Sequence, residues 1–201
     1  MAHHRDIQDF DDRAASYERG WRGRWHRDIA GRAAELALSA APAPARVLDV
    51  GCGTGLALRT LAARLPEAVS LVGIDPAPGM VAQARAAATR DPRLQFEAGF
   101  AEALPFAEGE FDLVVTVTSF DHWRDQQAGL RECARVLTPG GHLVLTDLFS
   151  LWLVPTLVVG RRGRARTVRR AAQLTAAAGF RSVQWHRAYG SGVIRIAVAL
   201  R

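Results

Sequence analysis

From residue 45 onward, short apolar runs alternate with helical stretches, and this alternation restricts the fold more than any other feature of the chain. ARVLDV (45–50), SLVGID (70–75), LQFEAG (94–99), FDLVVTV (111–117) and HLVLTD (142–147) have strand length and strand composition. Between them, residues 56–65, 79–88 and 126–137 follow a helical pattern, the last closed by the stop signal TPGG. A further helix is expected over 164–178, closed by Gly179, followed by strands at 181–187 and 193–200 joined by YGSG. Strands alternating with helices give a parallel sheet covered on both faces, wound by right-handed crossovers. The YGSG join is short enough for a hairpin, which makes the last strand antiparallel. FDLVVTV is strongly apolar and is expected at the centre of the sheet.

Ahead of this region, residues 1–8 read as a polar, frayed end, and 9–38 as helical with a break near Gly20 and Gly23. Tyr17, Trp21, Trp25 and Ile29 recur every four residues, which places them on one helix face. APAPA at 41–45 is a stiff linker. Two units are therefore expected, an N-terminal helical extension or lid at 1–40 and the α/β domain at 41–201.

The formal charge is +6, and all 26 basic residues are arginine. Arg161, Arg162, Arg164, Arg166, Arg169 and Arg170 form a run without an acid. It reads either as a solvated helix face or as a contact for nucleic acid or a membrane surface. Cys52 and Cys133 make no disulfide framework, and no spacing of His, Asp or Glu suggests a metal site. The N-terminus lacks an apolar signal core, and LFSLWLVPTLVVG near 150 is too short to span a bilayer. The expectation is a soluble, cytoplasmic protein without a transmembrane segment.

VLDVGCGTG at 47–55 places glycines directly behind the first strand. In a doubly wound sheet, ligands bind beyond the carboxyl ends of the strands where strand order reverses. Bare backbone there lets a ligand pack closely, and the N-terminus of the next helix favours an anionic group. The glycine pattern fails the dinucleotide fingerprint at Leu56, and a phosphate loop would need a lysine, which the chain lacks. Asp75 ends the second strand, where a carboxylate holds ribose hydroxyls. Together these features point to a ligand with a ribose and a modest anionic group, such as an amino-acid carboxylate.

VLDVGCGTG, GIDPAPGMVAQAR, FAEALPFAEGEFDLVV and RVLTPGGHLVLTD resemble the successive motifs of the class I S-adenosylmethionine-dependent methyltransferases, most closely the quinone and small-molecule group of the UbiE type. The resemblance runs in order over roughly residues 10 to 200. It implies a Rossmann-like, doubly wound, mostly parallel seven-stranded sheet with an antiparallel last strand, helices on both faces and the N-terminal helical extension. It also implies S-adenosylmethionine as cofactor and S-adenosylhomocysteine as product. Asp49, Gly51, Gly53 and Gly55 would surround the methionine portion, Asp75 would grip the ribose, and Met80 would pack on adenine. Phe100, Ala101 and Glu102 would line the adenine edge, and Ser119 would lie near the sulfonium. Members of this group commonly carry an acid where this chain has Phe100.

Methyl transfer is an in-line displacement, so the protein's main task is positioning, with a base where the nucleophile must lose a proton. The loop SFDHW after the fourth strand offers His122 as general base, oriented by Asp121 or another carboxylate. Capping of the next helix is the alternative role for His122. His26 is a second candidate base, whereas His142 and His186 read as structural. Tyr17, Trp21, Trp25, Phe120, Trp123 and the segment 148–159 read either as a roof over an apolar pocket or as the buried stripes of amphipathic helices. The leading expectation is a methyltransferase acting on an O-, C- or N-nucleophile of an apolar or aromatic small-molecule acceptor, as a monomer or homodimer, with nucleic acid not the partner. Two alternatives stay open. One is an RNA or protein methyltransferase that uses the arginine run at 161–170 as a phosphate grip. The other is a non-methylating protein that binds S-adenosylmethionine on the same scaffold.

Overall fold

The strand-length runs pair into one sheet. The computed structural model describes residues 2–149 and 167–201, with side chains from residue 7 onward. Among the described residues, the strands are β1 (Arg46–Val50), β2 (Ser70–Asp75), β3 (Leu94–Ala98), β4 (Phe111–Val117), β5 (Leu137–Leu148), β6 (Ser182–Arg187) and β7 (Ile194–Leu200). Their order is β3-β2-β1-β4-β5-β7-β6. β1 to β5 run parallel, and β7 lies antiparallel between β5 and β6. The order reverses between β1 and β4, so the crevice available to a ligand opens over the carboxyl ends of these two strands.

Two apolar clusters cover the two faces. On one, α2 (Gly20–Ala40), α3 (Leu56–Ala62) and α4 (Pro78–Ala87) pack Ile29, Leu58, Leu61 and Val81 against Val47, Leu71 and Val115. Ala33, Ala34 and Ala37 are buried along α2, and their small side chains let that helix lie close to its neighbours. On the other face, α5 (Gln126–Val136) and α6 (Val168–Ala177) pack Leu130, Cys133 and Leu174 against Leu48, Val114 and Leu145. Alternate residues of each central strand serve opposite faces, as the pleat requires. Each fully buried Leu or Ile contributes about 1.5–3 kcal/mol relative to exposure.

The N-terminal region departs from the reading of its sequence. The polar end is helical, as α1 (Ala2–Arg13), and a short 3-10 turn, Ala14–Ser16, follows it. Tertiary contact explains this: Ile7, Phe10 and Tyr17 pack on a small cluster of Ala14, Ala77 and Met80. The break lies before Gly20, and Gly23 continues inside α2, where a Cβ would sit 1.9 Å from the Glu18 carbonyl oxygen. Tyr17 therefore precedes the helix, and the four-residue stripe divides: Ile29 is buried, while Trp21 is 66% exposed. The TPGG stop also reads differently. β5 begins at Leu137, and the register slips between the Phe111–Leu137 and Leu113–His142 pairs, so 138–141 form an irregularity within the strand. The helix expected from 164 starts at Val168 with Thr167 as its N-cap, and residues 164–166 lie outside the described residues.

Candidate active site

The floor of the site is the exit of β1. Gly51 and Cys52 donate their N–H groups to the Ile74 carbonyl, at 2.8 and 3.0 Å, which ties the glycine loop to the end of β2. Gly51 has φ +75°, and a Cβ there would lie 2.0 Å from Ser119 Oγ. That hydroxyl donates to the Val50 carbonyl at 3.0 Å and accepts from Trp123 Nε1 at 3.1 Å. Gly51 thus makes room for a crosslink between β1 and β4. Gly53, at φ +53°, has no atom within 4 Å of the Cβ position, and it leaves open backbone on the cleft. Gly55 lies behind, where a Cβ would press on the Phe96 ring. Thr118, at the end of β4, adopts φ +54°, a conformation that costs a non-glycine residue about 1–2 kcal/mol. Such strain is often found at functional sites.

Two buried carboxyls stand at the loop. Asp75 accepts from Gly53 N at 2.8 Å and from Ala77 N at 2.9 Å. Its pKa is pushed up to about 6 by burial, against the pull of those two N–H groups. Asp49 is almost fully buried, and its pKa is pushed up to about 8 by burial and then by Asp75. Asp49 Oδ1 has no hydrogen-bond partner among the described residues. A cationic ligand would favour ionisation of both groups. Cys52, in the same loop, is buried and its thiol is pushed well up, so it is a packing residue and not a nucleophile.

The cleft above measures about 810 Å³ counted out to its open mouth. Met80, Phe100, Ala101 and Trp123 line one side, and Ile7, Phe10 and Tyr17 close it from the N-terminal segment. Two polar anchors hold that segment down. Asp11 accepts from Gly79 N at 2.7 Å, so a residue of α1 supplies the cap that α4 lacks in its own sequence. Glu18 Oε1 accepts from Thr54 Oγ1 at 2.6 Å and pairs with Arg59, which binds the segment to the glycine loop and to α3.

A second cavity adjoins the first. Phe10, Tyr17, Thr118 and His122 line both, so these residues form the boundary between them. Its outer wall comes from the start of α2, with Trp21, Trp25 and His26. Tyr17 stacks on His26 with ring centroids 4.7 Å apart, and Tyr17 and Thr118 both line the two cavities. Burial pushes the Tyr17 phenol up to about 12, and burial followed by Arg22 lowers His26. His122 ends a 3-10 turn, Phe120–His122, and meets the Phe10 ring edge-on at 5.0 Å.

The residues singled out from sequence fall into three groups. Gly51, Gly53, Asp75, Met80, Phe100, Ala101, Glu102, Ser119, Tyr17, His122 and Trp123 line one cleft. Asp49, Gly55, Phe120 and Asp121 are buried in the structure around it: Phe120 is in the core against Trp123 and Phe149, and the Asp121 N–H donates to Asp147 Oδ2 at 3.0 Å. Trp21 stands on the outer wall of the second cavity, away from the first. The Glu102 carboxylate is turned to the start of α5, accepting from Asp125 N at 2.9 Å. Of the arginine run, Arg169 and Arg170 are exposed on α6, and the others lie outside the described residues, as does the segment from 150 to 159. Sequence reading missed Ile7, Phe10, Asp11, Glu18 and Thr118. The i, i+3, i+7 spacing of Ile7, Phe10 and Ala14 was the available signal for the docked first helix. Among the described residues no group of His, Cys, Asp and Glu is arranged to hold a metal ion. No helix among them is long and apolar enough to cross a membrane.

The methyltransferase domain family model matches residues 47–141. A demethylmenaquinone methyltransferase of Deinococcus radiodurans is 41% identical over 131 residues, covering 65% of this chain and 50% of its own length. A ubiquinone/menaquinone biosynthesis C-methyltransferase UbiE of Geobacter sulfurreducens is 38% identical over 105 residues, covering 51% of this chain and 41% of its own. The chain therefore spans about half the length of the curated relatives it matches. In fold, a SAM-dependent methyltransferase from Aquifex aeolicus superimposes with a TM-score of 0.68 at 17% identity, over 84% of this chain and 88% of that one. The strand order, the glycine loop over the β1–β4 switch point and these relatives agree: residues 47–141 carry a methyltransferase domain, and the chain is similar to the class I S-adenosylmethionine-dependent methyltransferases of the UbiE-like group.

Proposed function

We propose that this chain binds S-adenosylmethionine in the cleft over β1, β2 and β4 and passes its methyl group to an O-, C- or N-nucleophile of an apolar, aromatic small molecule held in the second cavity. The observation that carries the reading is the shared boundary: Phe10, Tyr17, Thr118 and His122 line both cavities. The first cavity fits the cofactor. Gly53 offers open backbone, Asp75 presents a carboxylate whose oxygens each keep a lone pair, and buried Asp49 Oδ1 is left without a partner for an ammonium group to answer. Met80 and Phe100 supply flat apolar contact for a base. When bound, the cofactor supplies a methyl group made electrophilic by a sulfonium.

The chain's own part is positioning, exclusion of water and handling of a proton. Ile7, Phe10 and Tyr17 cover the cleft, with residues 1–40 acting as a lid on the domain at 41–201. His122 takes the proton of an acidic acceptor. His26, kept neutral by burial, stacks on Tyr17 one step further out. Tyr17, with its raised pKa, stays protonated and serves as a hydrogen-bonding group, not as a base. The demethylmenaquinone acceptor in the names of the relatives is an apolar ring compound, in keeping with aromatic walls.

Calorimetric titration with S-adenosylmethionine, NAD and ATP tests the cofactor assignment. Binding is expected for the first alone, and Asp75→Ala is expected to weaken it about 100-fold or more, near 2.7 kcal/mol. Undiminished binding by Asp75→Ala overturns the ribose assignment. Release of S-adenosylhomocysteine, measured over a panel of phenols, quinols and amines, then tests transfer.

A further inference from the structure

The second cavity is aromatic on its walls and cationic at its rim. Arg13, Arg19 and Arg22 line it, and no Asp or Glu does among the described residues. Other arginines of the fold are matched to acids, among them Arg46 with Glu110, Arg59 with Glu18, Arg93 with Asp91 and Arg135 with Glu132. None of the three rim arginines forms an ion pair with a carboxylate of the described residues. All three are exposed and cluster on the cavity wall, with Arg13 over the Phe10 ring at 5.0 Å and Arg22 over the Trp21 ring at 5.5 Å. Arg13 gives its Nε to the Asp9 carbonyl at 2.7 Å, and resting on aromatic faces leaves the terminal N–H groups of Arg13 and Arg22 available to a third group.

The backbone adds to the same field. Arg19 is the N-cap of α2, makes no side-chain cap hydrogen bond, and is followed by a first turn without an acid. Arginines at the positive end of a 21-residue helix oppose its dipole, and an anion seated there would relieve the opposition. Inside the rim, burial keeps the Tyr17 phenol protonated and holds His26 below its usual range.

We infer that the methyl acceptor is an aromatic compound carrying an anionic group, a carboxylate or a phosphate, with its ring between Phe10, Tyr17 and Trp25 and its charge on Arg13, Arg19 and Arg22. This rests on the reading of the second cavity as the acceptor site. It goes beyond the uncharged ring that the relatives' names indicate, because it makes the negative charge the specificity element.

The test is binding of matched probes in the presence of S-adenosylhomocysteine, followed by quenching of tryptophan fluorescence and by calorimetry. 3,4-Dihydroxybenzoate is expected to bind at least tenfold more tightly than its neutral methyl ester at low salt, with the advantage shrinking as salt rises. The double variant Arg19→Gln/Arg22→Gln is expected to lose most of that advantage while its affinity for the ester, for S-adenosylhomocysteine and its melting temperature stay unchanged. Phenyl phosphate in parallel assigns the preferred anion. If the acid binds no better than the ester, or neither binds, or the advantage survives in the double variant, the proposal is overturned. Titration of S-adenosylhomocysteine alone separates this from failure of the underlying reading: a protein that binds it but shows no anion preference refutes only the charge assignment.

Discussion

Gly51 and Ser119 meet where β1 and β4 diverge, at a distance that leaves no space for a side chain on the glycine: a Cβ would stand 2.0 Å from Ser119 Oγ. Ser119 Oγ is also hydrogen-bonded to Thr116, Val50 and Trp123, and these bonds resist its displacement. Gly51→Ala is expected to destabilise by about 2–4 kcal/mol, combining the clash with the positive φ. Ser119→Gly in the same chain should relieve the clash but not the backbone strain. Thermal denaturation of the two single variants and the double variant checks this, and strict additivity would refute direct contact.

Asp11 and Glu18 fasten the N-terminal segment over the cleft at two separate points. Asp11→Ala removes the cap of α4, and a loss of about 0.5–2 kcal/mol is expected. Glu18→Gln should cost about 1 kcal/mol of stability, since its side chain is partly exposed. Both variants are expected to raise the Kd for S-adenosylmethionine about five- to tenfold, mainly through faster release in stopped-flow measurements. An unchanged off-rate in both would argue against a lid.

His122 lies on the boundary of the two cavities, and its removal should separate binding from chemistry. His122→Gln is expected to lower kcat about 10²- to 10⁴-fold, the usual worth of general base catalysis, with little change in cofactor Kd. Turnover at the wild-type rate would remove the base assignment.

Asp49 and Asp75 give the protein a pH signature. Their folded pKa values, about 8 and about 6, exceed the ordinary value of 3.8. Each therefore holds its proton more tightly when folded, and unfolding releases protons. Stability of the ligand-free protein should fall as pH rises from about 4 toward 8, by several degrees in Tm. A cationic cofactor favours the ionised forms, so its affinity should rise over pH 6 to 8 and its binding should release protons, measurable as buffer-dependent heats. Affinity that is flat over that window, without proton release, would contradict the placement of these carboxyls beside the cationic ligand.

The glycine-loop side of the cleft was legible because its residues sit next to each other in the chain. VLDVGCGTG and GID each combine a strand and its exit loop, so local spacing carries the glycines and Asp75 to one edge once strand order is known. The role of Gly51 was not legible, because its partner Ser119 lies 69 residues beyond Val50, the other residue it joins. The same holds for Phe120 and Trp123: both pack in one core cluster, and only Trp123 also lines the cleft.

The sequence by itself determined the α/β alternation, the antiparallel last strand and the glycine loop behind β1, since these follow from periodicity and from backbone that side chains forbid. Tertiary structure alone decided that the polar N-terminus becomes a helix, that Asp11 and Glu18 hold it down, and that three arginines without an ion pair among the described residues gather at one rim. The physical reason is that a polar helix gains little from its own propensity. It forms where another surface accepts Ile7 and Phe10 and where a helix end needs a carboxylate, and neither condition is written in the segment itself.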